Sequence, residues 1–280
     1  MASETTGGAA RDRVRAAVLD TDGVVTDTAS VHAAAWKYAF DDLSRRLSRT
    51  EGTRFRPFDP REDYLRHVDG RPREDGVRAF LASRGIRLPE GPVPGDPEAM
   101  TVAWIADRKD RRFLDLVRRD GVRAFPGTVS FVRALRSAGA PVAVVSASRH
   151  CAMVLRAAGV DDLFDVRVDG RDAARLGLPG KPDPALFLEA ARRLDTNPTE
   201  TAVVEDALVG VEAGGRGGFG LVIGVDRVGT GARMRERGAH VVVSDLSELL
   251  PWPGAAAFLE RVPRWRWSCP QGCCGSSLPG

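Results

Sequence analysis

Lysine is almost missing from this 280-residue sequence: of 41 basic residues only Lys37, Lys109 and Lys181 are lysine, and the other 38 are arginine. Coding bias would leave a few such survivors, so each lysine poses the question of whether an ammonium is needed there. Cysteine is scarce too. Of four, Cys151 stands alone in the body while Cys269, Cys273 and Cys274 crowd the last dozen residues, which is no disulfide framework for a body this size. No His follows that group and no second Cys pair faces it, so a solvated tail is expected over a metal site. No run approaches the roughly 18 apolar residues of a membrane helix. Met1 to Arg15 lacks the apolar centre of a signal peptide. A cytoplasmic protein without membrane contact is expected. A net charge of +3 is too weak to argue for nucleic acid.

What is present is an ordinary globular composition, 43% hydrophobic and 28% charged, long enough for one large domain or two smaller ones. Short β-branched runs at 14–19, 141–145, 202–204, 221–225 and 241–243, with a weaker one at 164–168, read as buried strands. Helical patterns lie between them at 128–138, 151–158, 184–194, 208–214 and 232–237. Apolar strands alternating with helices imply a parallel sheet covered on both faces, an α/β fold. After the first strand the pattern changes. Residues 28–121 show only helical periodicity, at 31–47, 72–83 and 97–119, with Gly91-Pro-Val-Pro-Gly95 breaking the last two. The expected organisation is a discontinuous core of 1–27 and 122–250, a hinged helical cap of 28–121, and a Pro/Gly-rich tail of 251–280. In the tail, Arg261, Arg264, Trp265, Arg266 and Trp267 suggest a peripheral contact or packing onto the body.

Polar residues recur at strand ends. Ala17-Val-Leu runs into Asp20, Val142-Ala-Val-Val into Ser146, and Ala202-Val-Val into Glu205-Asp206. Open parallel sheets bind ligands outside the carboxyl ends of their strands. One such residue could be a helix cap, but three on separate strands are poorly explained that way. Asp20 and Asp22 are two apart, hence on one face of extended backbone, and Gly23 permits a sharp turn. Adjacent carboxylates need a cation between them or a proton on one. Both arrangements serve chemistry: a metal-bound nucleophile beside a proton carrier. Glu205-Asp206 adds the oxygen ligands that Mg²⁺ prefers. Lys181 precedes a helix start, where a cation is disfavoured unless an anion is near. Gly215-Arg-Gly217-Gly-Phe-Gly220 spells a dinucleotide signature, yet it follows a helix and precedes a strand, so it reads as a turn.

Asp20-x-Asp22-Gly-Val, Ser146, Gly-Lys181-Pro-Asp-Pro and Glu205-Asp206-Ala-x-x-Gly, in that order, resemble the four signature segments of the haloacid dehalogenase superfamily of phosphotransferases. The resemblance implies a Rossmann-like parallel-sheet core with an inserted helical cap of the first subclass. Thr26-Asp27-Thr28, His32, Trp36-Lys37, Gly70-Arg71-Pro72-Arg73-Glu74-Asp75, Lys109 and Ser146-Ala147-Ser148 resemble its beta-phosphoglucomutase-like branch. It implies that Asp20 becomes an aspartyl-phosphate and that Asp22 carries the proton. Mg²⁺ would be held by Asp20, the Asp22 carbonyl and Asp206, with Glu205 near or through water. Ser146 and Lys181 would stabilise the phosphoryl group. His32, Trp36, Gly70, Arg73, Lys109, Ala147, Ser148 and Arg149 would meet the substrate, Arg73 on the non-transferring phosphate, with His32 and Lys109 linking cap closure to the proton carrier. Arg149-His150 departs from the lysine and asparagine more typical of the branch. The implied substrate is a small phosphorylated sugar, interconverted between β-glucose 1-phosphate and glucose 6-phosphate by a monomeric enzyme. The alternatives are a sugar-phosphate phosphatase with the same residues and, more remotely, a non-catalytic binding protein acting through its tail.

Overall fold

The computed structural model describes residues 14–250 apart from Thr53 and Pro97, so the 251–280 tail and its three cysteines lie outside the described residues. Six strands form one sheet: β1 (Ala16–Asp20), β2 (Val142–Val145), β3 (Val166–Val168), β4 (Thr201–Glu205), β5 (Leu221–Val225) and β6 (Val241–Val243). All neighbours are parallel, in the order β3-β2-β1-β4-β5-β6. The chain steps outward from β1 to β3 and then returns to lay β4 on the other side of β1. That reversal makes the carboxyl ends of β1 and β4 the crevice where such sheets bind ligands.

Alternation along β1 serves two cores. Ala17 and Leu19 pack with Phe131, Val132 and Leu135 of α4 (Pro126–Ser137) and with Leu155 of α5 (Cys151–Ala157). Val18 faces Leu186 and Phe187 of α7 (Ala185–Arg193) and Val211 of α8 (Leu208–Arg216). Both faces are covered, which is why the strands read as continuous apolar runs. A short helix α6 (Gly170–Leu176) follows β3, and α9 (Gly231–Glu236) precedes β6. The 215–220 glycines lie at the end of α8 and in the turn into β5. A Cβ on Gly220 would sit 1.9 Å from the Thr199 carbonyl, so the chain needs glycine there for backbone approach rather than for a nucleotide.

Among the described residues between β1 and α4, the regular elements are helical: α1 (Ala29–Glu51), α2 (Arg73–Ser83), α3 (Val102–Asp120) and a π turn at Tyr64–Val68. These share a hydrophobic cluster of their own, built on Trp36, Phe40, Leu43, Phe58, Phe80 and Ile105. The Phe40 ring stacks 3.9 Å from Phe80 and 5.0 Å from Trp36. Lys37 bonds the Phe58 carbonyl at 3.0 Å and pairs with Asp41 at 2.9 Å, while Asp41 accepts the Phe58 amide. The first of the three lysines is therefore a clamp on the loop that delivers Phe58. The two connections to the sheet run side by side, with Asp27 donating to the Arg123 carbonyl at 2.9 Å and Phe125 to Val25 at 3.0 Å.

Boundaries differ from expectation where local chemistry decides them. Helix α3 begins at Val102 because the Thr101 hydroxyl accepts the Trp104 amide, a side-chain N-cap. Helix α7 begins at Ala185, four residues after Lys181. Helix α6 was invisible to periodicity since none of its residues is buried; Asp169 and Asp172 hold it by a reciprocal capping box.

Candidate active site

Register brings the polar strand ends together. Asp20 lies opposite Val145, so Ser146, the residue that follows β2, stands beside the Asp20–Asp22 turn. Leu19 lies opposite Val204, which puts Glu205 on the other flank. Thr21 ties the turn down, its hydroxyl bonding the Val145 carbonyl at 2.8 Å. Gly23 has φ +84°, and a Cβ there would fall 1.7 Å from an Asp206 carboxylate oxygen. Glycine thus both makes the turn and leaves room for Asp206.

Lys181 is buried and bonds Asp20 and Glu205 together. The anions that account for its place in the sequence are these two carboxylates. Burial pushes the Lys181 ammonium down, but the charges of Asp20 and Glu205 more than reverse this and hold it protonated. Burial drives the Asp20 carboxyl up, Lys181 offsets only part of this, and with Glu205 and Asp22 nearby it reaches about 8. Asp206 is pushed well above the carboxylate range by burial and by Asp69, Glu205 and Asp20. Excess negative charge therefore remains after Lys181 is counted. Carboxylate oxygens of Asp20, Glu205 and Asp206 lie within 4.8 Å of one another. This all-oxygen set fits a hard divalent cation such as Mg²⁺.

Asp22 is the opposite case. Burial raises it, but His32, Thr28 and Lys109 together bring it below the ordinary range. Its oxygens receive Thr28 and, at 3.2 Å, the Ser146 hydroxyl. His32 reaches it from the cap, Nε2 lying 3.3 Å from Asp22 Oδ1. Lys109 Nζ sits 2.7 Å from His32 Nδ1, so an ammonium there leaves the ring hydrogen on Nε2, facing Asp22. Burial and Lys109 both lower His32, favouring the neutral ring. Lys109 is itself buried on the stripe of Val102, Ile105, Ala106, Phe113 and Leu116, and burial with the Arg73 charge brings it down to about 7. A lysine on the apolar face of a helix was a legible sign of function.

Core and cap line one cleft of about 500 Å³. It contains Asp20, Asp22, His32, Trp36, Gly70, Arg73, Lys109, Ala147, Ser148, Arg149, Lys181 and Asp206, twelve of the fourteen residues singled out from the sequence. Ser146 and Glu205 stand just behind the wall, bonded to Asp22 and Lys181. Three further residues of the cleft escaped sequence reasoning. Tyr64 and Asp69 come from the π turn and its end, and the Tyr64 hydroxyl bonds the Asp69 carboxylate, which burial and Glu205 raise to about 7. Asp110 sits in the charged run Arg108-Lys-Asp-Arg-Arg, which gives no local sign of a role. It accepts Arg73 at 3.0 Å and His150 at 2.8 Å.

Comparisons with known proteins place the chain in a family. The family model of haloacid dehalogenase-like hydrolases matches residues 14–218. A beta-phosphoglucomutase of Mycobacterium bovis is 47% identical over 244 residues, covering 85% of this chain and 92% of that protein. A phosphorylated carbohydrates phosphatase of Thermotoga maritima is 28% identical over 82% of this chain and 94% of its own. Among solved structures, a beta-phosphoglucomutase from Clostridium difficile superposes with a TM-score of 0.64 at 23% identity, over 84% of this chain and 93% of that one. That likeness carries the fold. Among the described residues no helix is long and apolar enough to cross a membrane. The chain belongs to the haloacid dehalogenase-like hydrolase family, enzymes of phosphoryl transfer and hydrolysis.

Proposed function

We propose that this enzyme is a beta-phosphoglucomutase-like phosphotransferase acting on a small sugar phosphate. The observation that carries the reading is the single cleft in which the Asp20–Asp22 pair of the core and Arg73 of the cap are all exposed to one ligand. The 47% identity to a full-length mutase supports it.

Asp20 attacks the phosphorus through a carboxylate oxygen, the bond to the leaving oxygen breaks, and an aspartyl-phosphate forms. Asp22 supplies the proton to the leaving oxygen. In the second half Asp22 removes the proton of the incoming hydroxyl, which takes the phosphoryl group and frees Asp20. His32, Thr28 and Lys109 hold Asp22 ionised, the form needed for the base role. A phosphate dianion bound beside it raises its proton affinity, so that Asp22 takes up from solvent the proton it then passes to the leaving oxygen. Asp20, Glu205, Asp206 and the Asp22 carbonyl would hold Mg²⁺, which supplies charge neutralisation between the nucleophile and the anionic phosphate. Ser146 and Lys181 offer a hydroxyl and an ammonium to phosphoryl oxygens. Arg73 offers its planar fork to a second phosphate.

The deciding experiment offers β-glucose 1-phosphate with and without glucose 1,6-bisphosphate in Mg²⁺ buffer and follows both glucose 6-phosphate and inorganic phosphate. Primer-dependent isomerisation is expected. Phosphate release without isomerisation would replace the mutase with a phosphatase using the same residues.

A further inference from the structure

Asp110 joins the two parts of the cleft. It stands on α3, one residue after Lys109, and its single oxygen Oδ1 lies 3.0 Å from Arg73 Nη2 and 2.8 Å from His150 Nε2. Arg73 comes from the first turn of α2 in the cap, whereas His150 directly precedes α5 of the core, at the end of the Ser146–Arg149 loop. All three side chains are about four-fifths buried, with 18%, 21% and 17% of their surface exposed for Arg73, Asp110 and His150. Arg73 also approaches the Ala106 carbonyl at 3.5 Å, a longer contact than the one to Asp110. His150 is further placed by the ring of Phe113, 6.2 Å away, and Phe113 in turn stacks on His32 at 4.2 Å. One wall of the cleft therefore runs from the proton-carrier side to Arg73 through α3.

We propose that Asp110 is a positioning residue that makes docking of the cap and placement of Arg73 a single event. Its carboxylate holds the guanidinium from the cap and the imidazole from the core at once. Opening the cap breaks the His150 contact and leaves Asp110 to reorient with solvent. Closing it restores a three-residue network in which Arg73 has one orientation toward the cleft. A hydrogen-bonded charge network of this kind directs a flexible side chain more than it adds net stability. The inference rests on the sugar-phosphate reading of the cleft for what Arg73 binds, and on geometry alone for the link between cap and core.

Two substrates separate these. Glucose 1,6-bisphosphate carries a second phosphate for Arg73, and acetyl phosphate carries none. Asp110→Ala and His150→Ala are expected to lower kcat/KM for the bisphosphate about tenfold more than for acetyl phosphate, mainly through KM. The double variant is expected to be no worse than the worse single one, because both remove the same network. His150→Gln keeps a donor at similar reach and should recover most of the loss. Amide hydrogen exchange of the ligand-free protein, at residues 69–76 and 146–152, should quicken in both alanine variants. Equal losses on the two substrates, additive losses in the double variant, or unchanged exchange would each overturn the positioning role. If the wild type turns over neither substrate, the functional reading fails, while the exchange measurement still decides the link between cap and core.

Discussion

A β-carbon placed on Gly180 would lie 2.2 Å from Cγ and 2.5 Å from Cδ of Pro72. Gly180 stands beside Lys181 in the core, and Pro72 opens helix α2 in the cap. Gly180 is not in the left-handed region, so alanine is conformationally acceptable there and only the cap obstructs it. Gly180→Ala should leave thermal stability near wild type yet cut kcat/KM at least about tenfold, since closure must give way. Pro72→Ala removes the offending atoms; the next, Cβ, is 3.7 Å away. The double variant should regain activity, and steady-state kinetics of the four proteins check this. A double variant as slow as the single one would mean the contact does not govern closure.

Asp20→Asn should abolish turnover, and no phosphoryl adduct should appear on the intact protein by mass spectrometry after acid quench. Asp22→Asn should retain the nucleophile and lose the proton carrier, slowing turnover by about 10²–10⁴-fold. Comparable activity in Asp20→Asn would remove covalent catalysis from the mechanism.

Asp206 is raised well above its ordinary range by burial and neighbouring carboxylates. In chelator, Asp206→Asn should therefore raise the melting temperature by relieving that repulsion. The same variant should lose the upward shift that Mg²⁺ gives the wild type. A ligand at 100 times its Kd contributes about 2.7 kcal/mol. Differential scanning fluorimetry across a Mg²⁺ titration, read against EDTA, tests both halves.

Lys109 has its proton affinity lowered from 10.5 to about 7 by burial and the Arg73 charge. Between those pH values the unfolded chain binds the proton and the native one releases it. Stability therefore rises with pH across that window, at up to about 1.4 kcal/mol per pH unit, and its contribution is flat below pH 7. Lys109→Met should remove this rise. Denaturant unfolding from pH 6 to pH 10 shows it as a wild-type-minus-variant difference that climbs only above pH 7; a constant difference would refute it.

Cys151 is buried against the Thr21 hydroxyl at 3.3 Å, and burial pushes its thiol up to about 12. A protonated, enclosed thiol is unreactive. Iodoacetamide at pH 8 should leave Cys151 unmodified in the native protein and label it after unfolding, as read by peptide mapping.

The sheet and the core end of the cleft were legible in the sequence for one reason. A buried parallel strand is a run of apolar residues, so a carboxylate closing it stands out, as Asp20 and Glu205-Asp206 do. The helical character of the cap was equally plain from its periodicity. Asp69 and Asp110 were hidden because an acidic residue in a charged helix or loop looks solvated. Their roles depend on which side chains the fold lays against them, Tyr64 and Glu205 for one, Arg73 and His150 for the other. Helix α6 was hidden for the complementary reason: held by its caps, it carries no apolar stripe. Two lysines stood out by resemblance, Lys181 in a core motif and Lys109 at a cap position, and the apolar helix face around Lys109 is a further signal the sequence carried. The clamp made by Lys37 depends on the Phe58 loop, 21 residues away, and no local pattern points to it.

The central position of β1 has a consequence for how the enzyme comes into being. Asp20 is made well before its partners: Lys181 follows it 161 residues later, and Ser146 trails Asp22 by 124. Glu205 comes later still. Until β4 slots in beside β1, the nascent chain holds Asp20 with neither its counter-cation Lys181 nor the rest of its acidic cluster. The cleft can assemble only once the segment through β4 has been made, so a chain ending before Glu205 lacks the acidic cluster altogether.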